Sequence, residues 1–455
     1  MNVIVLGDIM IDTNYHCITN RKAPEADIPI YCVLNTNYIL GGAANVAKNL
    51  KSLNCNVMIV SVVGDDIMGK KIVDLFNENN IDNKIFIDTS RKTTQKNRIF
   101  YNNDIVNRFD IEDTFDINSM IENDIFEYIV SLKDINAIIL SDYDKGCLSL
   151  SLCNRIIEYM NKCNIYTFVD PKVKNYHKYV DCFCIKPNLL EGEIISQSTD
   201  LNTIFNFIFE NIKCKNLILT DGGNGMYVNS PSNIIKHNKK IDVVDVTGAG
   251  DIVMCVLTYI YLKEKNIQLA AHIANYIGGK SVTVIGNYNI TLDDIDNNEI
   301  NEKIMYDYMI DSITNIKNTM KDKKIVFTNG CFDIIHSAHI KLLKFAKSQG
   351  DILVVGLNSD DSIKKLKGSS RPINDVNERS ELLANLDFID IIIIFNDMTP
   401  LKIIKLLRPN ILIKGSDYNK EDIIGKEYVD EIILFDFIKN KSSSIVINKI
   451  MNNMG

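Results

Sequence analysis

The chain has 455 residues, enough for two or three domains that each bury an apolar core. Its net charge of −8 and pI of about 5.4, with lysines spread along the chain, make nucleic acid a poor candidate partner. Eleven cysteines without a CxxC pair favour free thiols in a reducing cytoplasm, and we expect neither a secretory leader nor a membrane span.

Short, continuous β-branched runs recur along the first part of the chain, separated by longer segments with helical spacing. These runs lie at 3–6, 57–63, 137–140, 165–169 and 217–219. The alternation predicts an α/β fold in which buried parallel strands are joined by crossover helices. The same pattern begins again at 324–328, 352–356, 389–395, 411–413 and 431–435. A second α/β sheet is therefore expected.

The segment between the two series, 292–323, is polar and has helical spacing without any strand pattern. We interpret most of it as a linker that contains a helix. The predicted organisation is a first domain at 1–298, a helical linker at 299–323 and a second domain at 324–455.

The string DVTGAGD at 245–251 precedes an apolar helical run. Glycines in front of a helix let backbone N–H groups turn toward an anion, and the helix N-terminus adds partial positive charge. Asp251 then lies beside the bound phosphate, placed to take a proton from an attacking hydroxyl. The alternative is an ordinary glycine turn capped by Asp251.

The whole string resembles the DTGAGD motif of the ribokinase-like (PfkB) sugar kinases. The resemblance extends through residues 1–298 and includes GGAAN at 41–45, DPK at 170–172, PN at 187–188 and TDG at 220–222. It implies a ribokinase-like fold and a reaction in which ATP phosphorylates a sugar.

The resemblance also implies roles for individual residues. Asp251 would be the catalytic base, and the anion hole for the γ-phosphoryl group would comprise Gly248, Ala249 and Gly250. The residues expected to face the sugar are Asp12, Gly42 and Asn45, although a helix N-cap is an equal alternative for Asn45. Those expected at ATP are Asn188, Glu191, Thr220, Gly222 and Gly225. Asn188 and Glu191 would also organise Mg²⁺ indirectly. The ion is needed because the negative phosphate oxygens of ATP repel the nucleophile.

The tripeptide GKS at 279–281 ends like a P-loop. The preceding residues 270–276 have a helical pattern, whereas a P-loop requires a strand. We therefore do not expect a phosphate loop here.

The second domain opens with TNGCFDIIHSAH at 328–339. His336 and His339 are three residues apart near a helix start, so both can contact one phosphate group. Zinc binding is the alternative, but it needs a third protein ligand and the HExxH glutamate is missing.

This string resembles the TxGxFDxxHxGH motif of the cytidylyltransferase-like nucleotidyltransferases, which implies a Rossmann-like domain. In that family the histidines stabilise the α-phosphate while a sugar 1-phosphate attacks. The implied nucleotide-binding residues are Thr328, Asn329, Gly330, Phe332, Asp333, Asp360, Lys367, Arg371, Lys414, Gly415, Asp417, Ser443 and Ser444. Ala338 departs from the family glycine between the histidines.

The two domains in this order resemble the family of bifunctional heptose 7-phosphate kinases and heptose 1-phosphate adenylyltransferases of lipopolysaccharide biosynthesis. Supporting strings are APEA at 23–26, SDYDKG at 141–146, LKGSSRP at 366–372 and KGSDY at 414–418. A substrate that carries a phosphate needs cationic side chains. The segment matching the family's basic substrate strand contains Lys96, Arg98 and Arg108.

The resemblance implies ATP as a substrate of both reactions, sugar phosphates as the other substrates and a separate phosphatase acting between the two steps. We also expect a cytoplasmic homodimer without nucleic-acid or membrane partners. Two alternatives stay open: the same activities on a different sugar phosphate, and a nucleotide-binding regulator built on degenerate folds. Asp251, His336 and His339 argue against the regulator.

Overall fold

The structure is a computed structural model that describes residues 1–102, 104–231, 233–236, 241–284, 286, 288–296, 303–307, 313–314, 316, 320, 322–416 and 419–436. The chain divides into two compact units, Met1–Asn298 and Glu299–Gly455. Each unit is α/β, which confirms the predicted fold class. None of the helices within the described residues is both long and apolar enough to span a bilayer.

The strands of the first unit are β1 Asn2–Gly7, β2 Ile9–Lys22, β3 Pro29–Gly42, β4 Asn56–Val63, β5 Asp82–Ile87, β6 Gln95–Tyr101, β7 Asp104–Ile111, β8 Ala137–Ser141, β9 Tyr166–Asp170, β10 Cys184–Ile185, β11 Asn216–Thr220, β12 Met226–Val228 and β13 Ile234–Ile235. Nine of them form one sheet in the order β13-β12-β11-β10-β9-β8-β1-β4-β5. Its neighbouring strands pair in parallel from β11 to β5, and β12 and β13 add an antiparallel edge. A separate four-stranded sheet has the order β3-β2-β6-β7.

The α-helices of the first unit are Ala43–Ser52, Ile67–Glu78, Ser119–Ser131, Leu150–Lys162, Leu189–Ser196, Leu201–Asn211, Ala249–Glu264, Ile267–Ser281 and Leu292–Asp296. The 3₁₀ segments are Val173–Tyr179 and Gly222–Asn224. Side chains of Asp66, Asn118, Ser149 and Asp200 accept backbone N–H bonds at helix starts, so the helices begin where capping residues occur. The GKS tripeptide ends helix Ile267–Ser281, as its pattern predicted.

The predicted β-branched runs are the centre of this unit. Strands β1 and β8 are almost fully buried along their length, since helices cover both faces of the sheet. One cluster joins these strands to the buried apolar faces of helices Ser119–Ser131, Leu150–Lys162 and Leu201–Asn211. Charged side chains such as Asp8 and Asp142 therefore lie just beyond the ends of these two strands, which is where the site lies.

The second unit contains β14 Ile304–Tyr306, β15 Ile325–Gly330, β16 Ile352–Asn358, β17 Ile391–Phe395, β18 Ile411–Gly415 and β19 Glu431–Phe435. All pair in parallel, in the order β14-β17-β16-β15-β18-β19. The α-helices are Ser337–Ser348, Asp360–Lys367, Val376–Ala384 and Leu401–Leu407, and the 3₁₀ segments are Lys420–Asp422 and Lys426–Tyr428.

The prediction that residues 292–323 contain no strand is wrong. Residues Ile304–Tyr306 form β14, which pairs with Ile392–Ile394 of β17 at the edge of the second sheet. Three residues are too few to show a periodicity, and the strand exists because β17 offers an unpaired edge. The predicted helical spacing rests on Ile304, Tyr308, Ile313 and Ile316; of these, Ile313 and Ile316 are buried in the core of this unit.

Candidate active sites

A cavity of about 510 Å³ in the first unit contains nearly all the residues predicted for the kinase. Its lining includes Asp12, Gly42, Asn45, Lys96, Arg98, Asn188, Glu191, Thr220, Gly222, Gly225, Gly248, Ala249, Gly250 and Asp251. Parallel strands of an α/β sheet present their carboxyl ends on one edge, where ligands normally bind. Asp142, Asp170 and Thr220, at the ends of β8, β9 and β11, place the cavity at that edge.

The DVTGAGD string forms a turn that begins helix Ala249–Glu264. Gly248 is the N-cap with φ 74°, a left-handed conformation that favours glycine. Asp251 is the third residue of the helix and is 7% exposed. A Cβ on Gly250 would lie 3.6 Å from Lys186 Nζ, so the glycine backbone faces a cation. The turn thus places a lysine beside the predicted anion hole, in which the Ala249 N–H donates to the Val246 carbonyl at 3.2 Å.

Both carboxylate oxygens of Asp251 accept hydrogen bonds. Asn45 Nδ2 donates to Oδ2 at 2.7 Å, and the Tyr143 hydroxyl donates to Oδ1. Burial raises the pKa of Asp251 to about 6, and the two donors lower it only in part. Asn45 lies inside helix Ala43–Ser52, whose N-cap is Gly42, so the N-cap alternative for Asn45 is wrong.

Lys186 was missed from the sequence. It follows β10 and forms an ion pair of 3.0 Å with Asp170, and its side chain is 5% exposed. Burial raises the pKa of Asp170, and Lys186 opposes that rise. The only sequence signal was its place next to the Pro187-Asn188 dipeptide, so its position depends on how β9 and β10 pair.

Two of the three cations predicted for the sugar phosphate, Lys96 and Arg98, lie on β6, which pairs with β2. Asp12 is opposite Lys96 in register, and Arg98 donates to the Asp12 carboxylate at 2.8 Å. Burial lowers the pKa of Lys96. Arg108 is different: it pairs with Asp110, is about half exposed and is not among the residues that line the cavity.

Asn188 and Glu191 form a capping box at helix Leu189–Ser196. Each side chain accepts the backbone N–H of the other residue, and Lys172 Nζ donates to Glu191 at 2.9 Å. Within the described ranges there is no group of three or more His, Cys, Asp or Glu residues that could hold a metal ion. Because these oxygens already accept hydrogen bonds, the pair suits contact with Mg²⁺ through water.

The second site lies where the strand order of the six-stranded sheet reverses, between β15 and β18. Such a switch point opens a crevice at the carboxyl ends of the strands. Thr328 donates to the Ile413 carbonyl at 3.0 Å, and Lys414 Nζ donates to Asn329 Oδ1. Gly330 and Gly415 end the two strands.

The two histidines begin the helix that follows β15. His336 is the N-cap of helix Ser337–Ser348 and His339 its third residue, and their rings stack at 3.9 Å. Phe332, with φ 47°, meets the His339 ring edge-on. Burial, with help from the nearby His336 and Lys367, lowers the pKa of His339 to about 4. The ring is therefore neutral at pH 7 when the site is empty.

Several residues predicted to bind the nucleotide form ion pairs and hydrogen bonds with other side chains around this site. Asp333 pairs with Arg371 at 2.9 Å and accepts the N–H groups of Ile373 and Asn374. Asp360 pairs at 2.6 Å with the buried Arg379, which also donates to the carbonyls of Cys331 and Asn358. Lys367 ends helix Asp360–Lys367. The predicted residues Asp417, Ser443 and Ser444 lie outside the described part of the chain.

Comparisons with known proteins identify a family for each part of the chain. Residues 2–294 match the pfkB family carbohydrate kinases and residues 327–450 the cytidylyltransferase-like family. The chain is 38% identical to the bifunctional protein HldE of Campylobacter jejuni subsp. doylei, covering 98% of this chain and 97% of that protein. It is 36% identical to the Aliarcobacter butzleri HldE, covering 99% and 98%, and 37% identical to the Helicobacter hepaticus HldE, covering 98% and 96%.

Solved structures share the fold of the first unit. Phosphofructokinase-2 from Escherichia coli in complex with fructose-6-phosphate superposes with a TM-score of 0.54 at 15% identity, over 65% of this chain and 97% of that one. A carbohydrate kinase from Agrobacterium tumefaciens gives a TM-score of 0.51 at 16% identity, over 65% and 96%. The chain belongs to the HldE family of bifunctional proteins, in which a pfkB-type carbohydrate kinase is followed by a cytidylyltransferase-like domain.

Proposed function

We propose the following reactions for this bifunctional kinase and adenylyltransferase of ADP-heptose biosynthesis. The first domain phosphorylates the C1 hydroxyl of D-glycero-β-D-manno-heptose 7-phosphate with ATP. The second joins heptose 1-phosphate to AMP from ATP, which yields ADP-heptose and pyrophosphate. The observation that carries the proposal is one cavity lined by a buried carboxylate at a helix N-terminus and by the cations Lys96 and Arg98.

In the kinase reaction Asp251 accepts the proton of the C1 hydroxyl while the oxygen of that hydroxyl attacks the γ-phosphorus of ATP. The N–H groups of Gly248, Ala249 and Gly250 would stabilise the transferred group, with Lys186 neutralising charge beside them. Asn45 holds the Asp251 carboxylate in place through its hydrogen bond.

Mg²⁺ is the cofactor we propose for both reactions. In the kinase, Asn188 and Glu191 would hold it through water, and it would neutralise the oxygens of the β- and γ-phosphates. Removal of the metal by a chelator should therefore stop phosphoryl transfer.

In the transferase reaction the phosphate of the sugar attacks the α-phosphorus of ATP, and the protein needs no nucleophile of its own. His336 and His339 lie at a helix N-terminus, where hydrogen bonds and the helix dipole favour an anion. Lys367, Arg371 and Lys414 would supply positive charge to the departing pyrophosphate.

The remaining partners follow from this chemistry. The kinase product carries two phosphates, so a separate phosphatase must remove the 7-phosphate before adenylyl transfer.

We propose that the enzyme is a cytoplasmic homodimer. All eleven cysteines are free thiols, as a reducing compartment allows. The four-stranded sheet exposes apolar side chains on both edge strands, Val33 and Leu34 on β3 and Ile105 and Phe109 on β7, which a second copy could cover.

The reaction assignment is tested by mass spectrometry of the products formed from Mg-ATP and a panel of sugar phosphates, with and without a 7-phosphatase. We expect a bisphosphate from heptose 7-phosphate and ADP-heptose only when the phosphatase is present. Faster turnover of a different sugar phosphate would change the substrate assignment, and the absence of any product would contradict both reactions.

Replacing Asp251 by Asn should abolish kinase turnover, with a loss of about 100-fold or more, because the positioned base is removed while the side-chain shape is kept. Adenylyl transfer to supplied heptose 1-phosphate serves as the control in the same preparation. It should stay nearly normal, since the residues of that site lie in the other unit. Near-normal kinase rates would contradict the role of Asp251 as base.

Replacing Lys96 and Arg98 by Ala should raise the KM for heptose 7-phosphate much more than the KM for ATP. Each charged hydrogen bond to phosphate is typically worth about 1.5–3 kcal/mol, so the effect on KM should exceed tenfold. Lys162→Ala is the control, because Lys162 makes an exposed ion pair with Glu158 outside the cavity lining. An equal rise in both KM values, or an equal effect of Lys162→Ala, would refute the assignment.

Ala338 is the buried second residue of helix Ser337–Ser348. Ala338→Gly should lower stability by about 1 kcal/mol through helix propensity, and should leave adenylyl transfer equal or faster because the methyl group no longer narrows the phosphate site. Pyrophosphate release at saturating ATP measures the rate. Ala346→Gly, in the same helix, should lower stability alone, whereas His336→Ala should nearly abolish transfer. A sharp fall in rate for Ala338→Gly would show a differently organised site.

A further inference from the structure

The proton-accepting end of Asp251 is already occupied in the structure. Asn45 Nδ2 donates to Oδ2 and the Tyr143 hydroxyl donates to Oδ1. A general base needs the proton of the substrate hydroxyl within hydrogen-bonding distance of one of these oxygens. Each oxygen can accept a second hydrogen bond, but the sugar hydroxyl would have to approach it beside the donor that is already there.

The Asn45 contact is the more constrained of the two. Asn45 lies inside helix Ala43–Ser52, is 3% exposed, and accepts bonds from Asn49 Nδ2 on both its side-chain oxygen, at 3.2 Å, and its carbonyl, at 3.0 Å. These bonds fix the amide with its NH₂ group toward Asp251. Turning it away would leave a buried donor and acceptor unpaired, which is costly.

The Tyr143 contact is made by the end of a long side chain on the loop after β8. Its ring borders the cavity, and Lys96 Nζ lies 5.6 Å from the ring centroid. The hydroxyl thus reaches Asp251 from the side on which the proposed sugar-phosphate cation lies. Rotation of this side chain would free Oδ1 without disturbing a helix.

The backbone of Tyr143 is held firmly, so only the side chain can respond. The buried Asp8 carboxylate accepts the N–H groups of Tyr143, Lys145 and Cys147 at 2.9, 3.0 and 2.9 Å. Gly146 has φ 85°, and a Cβ there would lie 1.9 Å from the Phe115 carbonyl oxygen. This loop is therefore a rigid support that delivers the phenol to the base.

We propose that Tyr143 is a positioning residue whose hydroxyl holds Oδ1 of Asp251 in the empty site and yields that oxygen to the attacking sugar hydroxyl. The inference rests on the proposed kinase reaction. When the phenol leaves, the sugar O–H proton passes to Oδ1, an O–P bond forms to the γ-phosphorus, and the bond from that phosphorus to the β,γ-bridging oxygen breaks, which releases ADP. Asn45 keeps the carboxylate oriented throughout.

If the phenol gives up Oδ1 when the sugar binds, Tyr143→Phe should change the pKa of Asp251 in the free enzyme but not in the substrate complex. In the empty site the phenol bond lowers the pKa of Asp251, so its loss should raise that pKa further. The other groups facing Asp251 are Asp170 and Lys186 from the strand ends and Cys255 from its own helix, and Tyr143→Phe leaves all three in place. In the complex the phenol has already left, so the substitution should have no effect on the pKa there.

The experiment compares wild type and Tyr143→Phe in single-turnover phosphoryl transfer with Mg-ATP and heptose 7-phosphate. Rates are measured from about pH 4.5 to about pH 9, a range that includes the titration of a carboxyl whose pKa burial has raised. Rates at low substrate report the free enzyme and rates at saturation report the complex. We expect the acid limb at low substrate to move up by about one pH unit, the size of a lost hydrogen bond to a charged group. The limb at saturation should not move.

The matched control is Tyr288→Phe, which removes a phenol bonded at 2.7 Å to the Asp294 carboxylate outside the cavity lining. It should shift neither limb. The proposal would be overturned if the acid limb at low substrate did not move in Tyr143→Phe. It would also be overturned if both limbs moved equally, because the phenol would then still be bound to Asp251 in the complex. Failure of the wild type to phosphorylate the sugar would instead contradict the proposed function, so the two failures are distinguishable.

Discussion

A strand of a parallel sheet covered on both faces has no contact with water along its length, so charged side chains collect where it ends, and both halves of this protein follow that constraint. Strands β1 and β8 are buried along nearly their whole length, so charge collects at Asp8, Asp142 and Asp170. The second sheet does the same with Asn329 and Lys414. Each site is thus a set of strand ends completed by the N-terminus of one helix.

The charges gathered in this way are expensive to bury and must be paired. Lys178 contacts Asp142, Lys186 contacts Asp170 and Arg98 contacts Asp12, in each case with little exposure of either partner. Breaking such a pair leaves an uncompensated charge, which is strongly destabilising. These pairs hold the walls of the kinase cavity in place. Asp251 differs from the three paired carboxylates because its hydrogen-bond donors, Asn45 and Tyr143, are neutral.

The same helical position carries a residue with a proposed catalytic role in both domains. Asp251 and His339 are each the third residue of a helix, where unpaired N–H groups and the dipole favour negative charge. Burial opposes the helix N-terminus at Asp251, where it raises the pKa of the carboxyl. At His339 the two effects act together, because both burial and the positive helix end disfavour the charged imidazole and lower its pKa. The result is a carboxylate basic enough to accept a proton near neutrality and a neutral imidazole that can donate a hydrogen bond to phosphate.

The sequence by itself determined the two α/β domains and the residues in local motifs, because β-branched runs, a glycine turn before a helix and paired histidines act over a few neighbouring positions. It did not determine Lys186, the role of Tyr143, the strand Ile304–Tyr306 or the place of Arg108 outside the cavity lining. These depend on strand order and register, which bring together residues far apart in the chain, such as Asn45 and Asp251 at a separation of 206 residues. Only the tertiary structure decides such contacts, since no local pattern records which strand ends become neighbours.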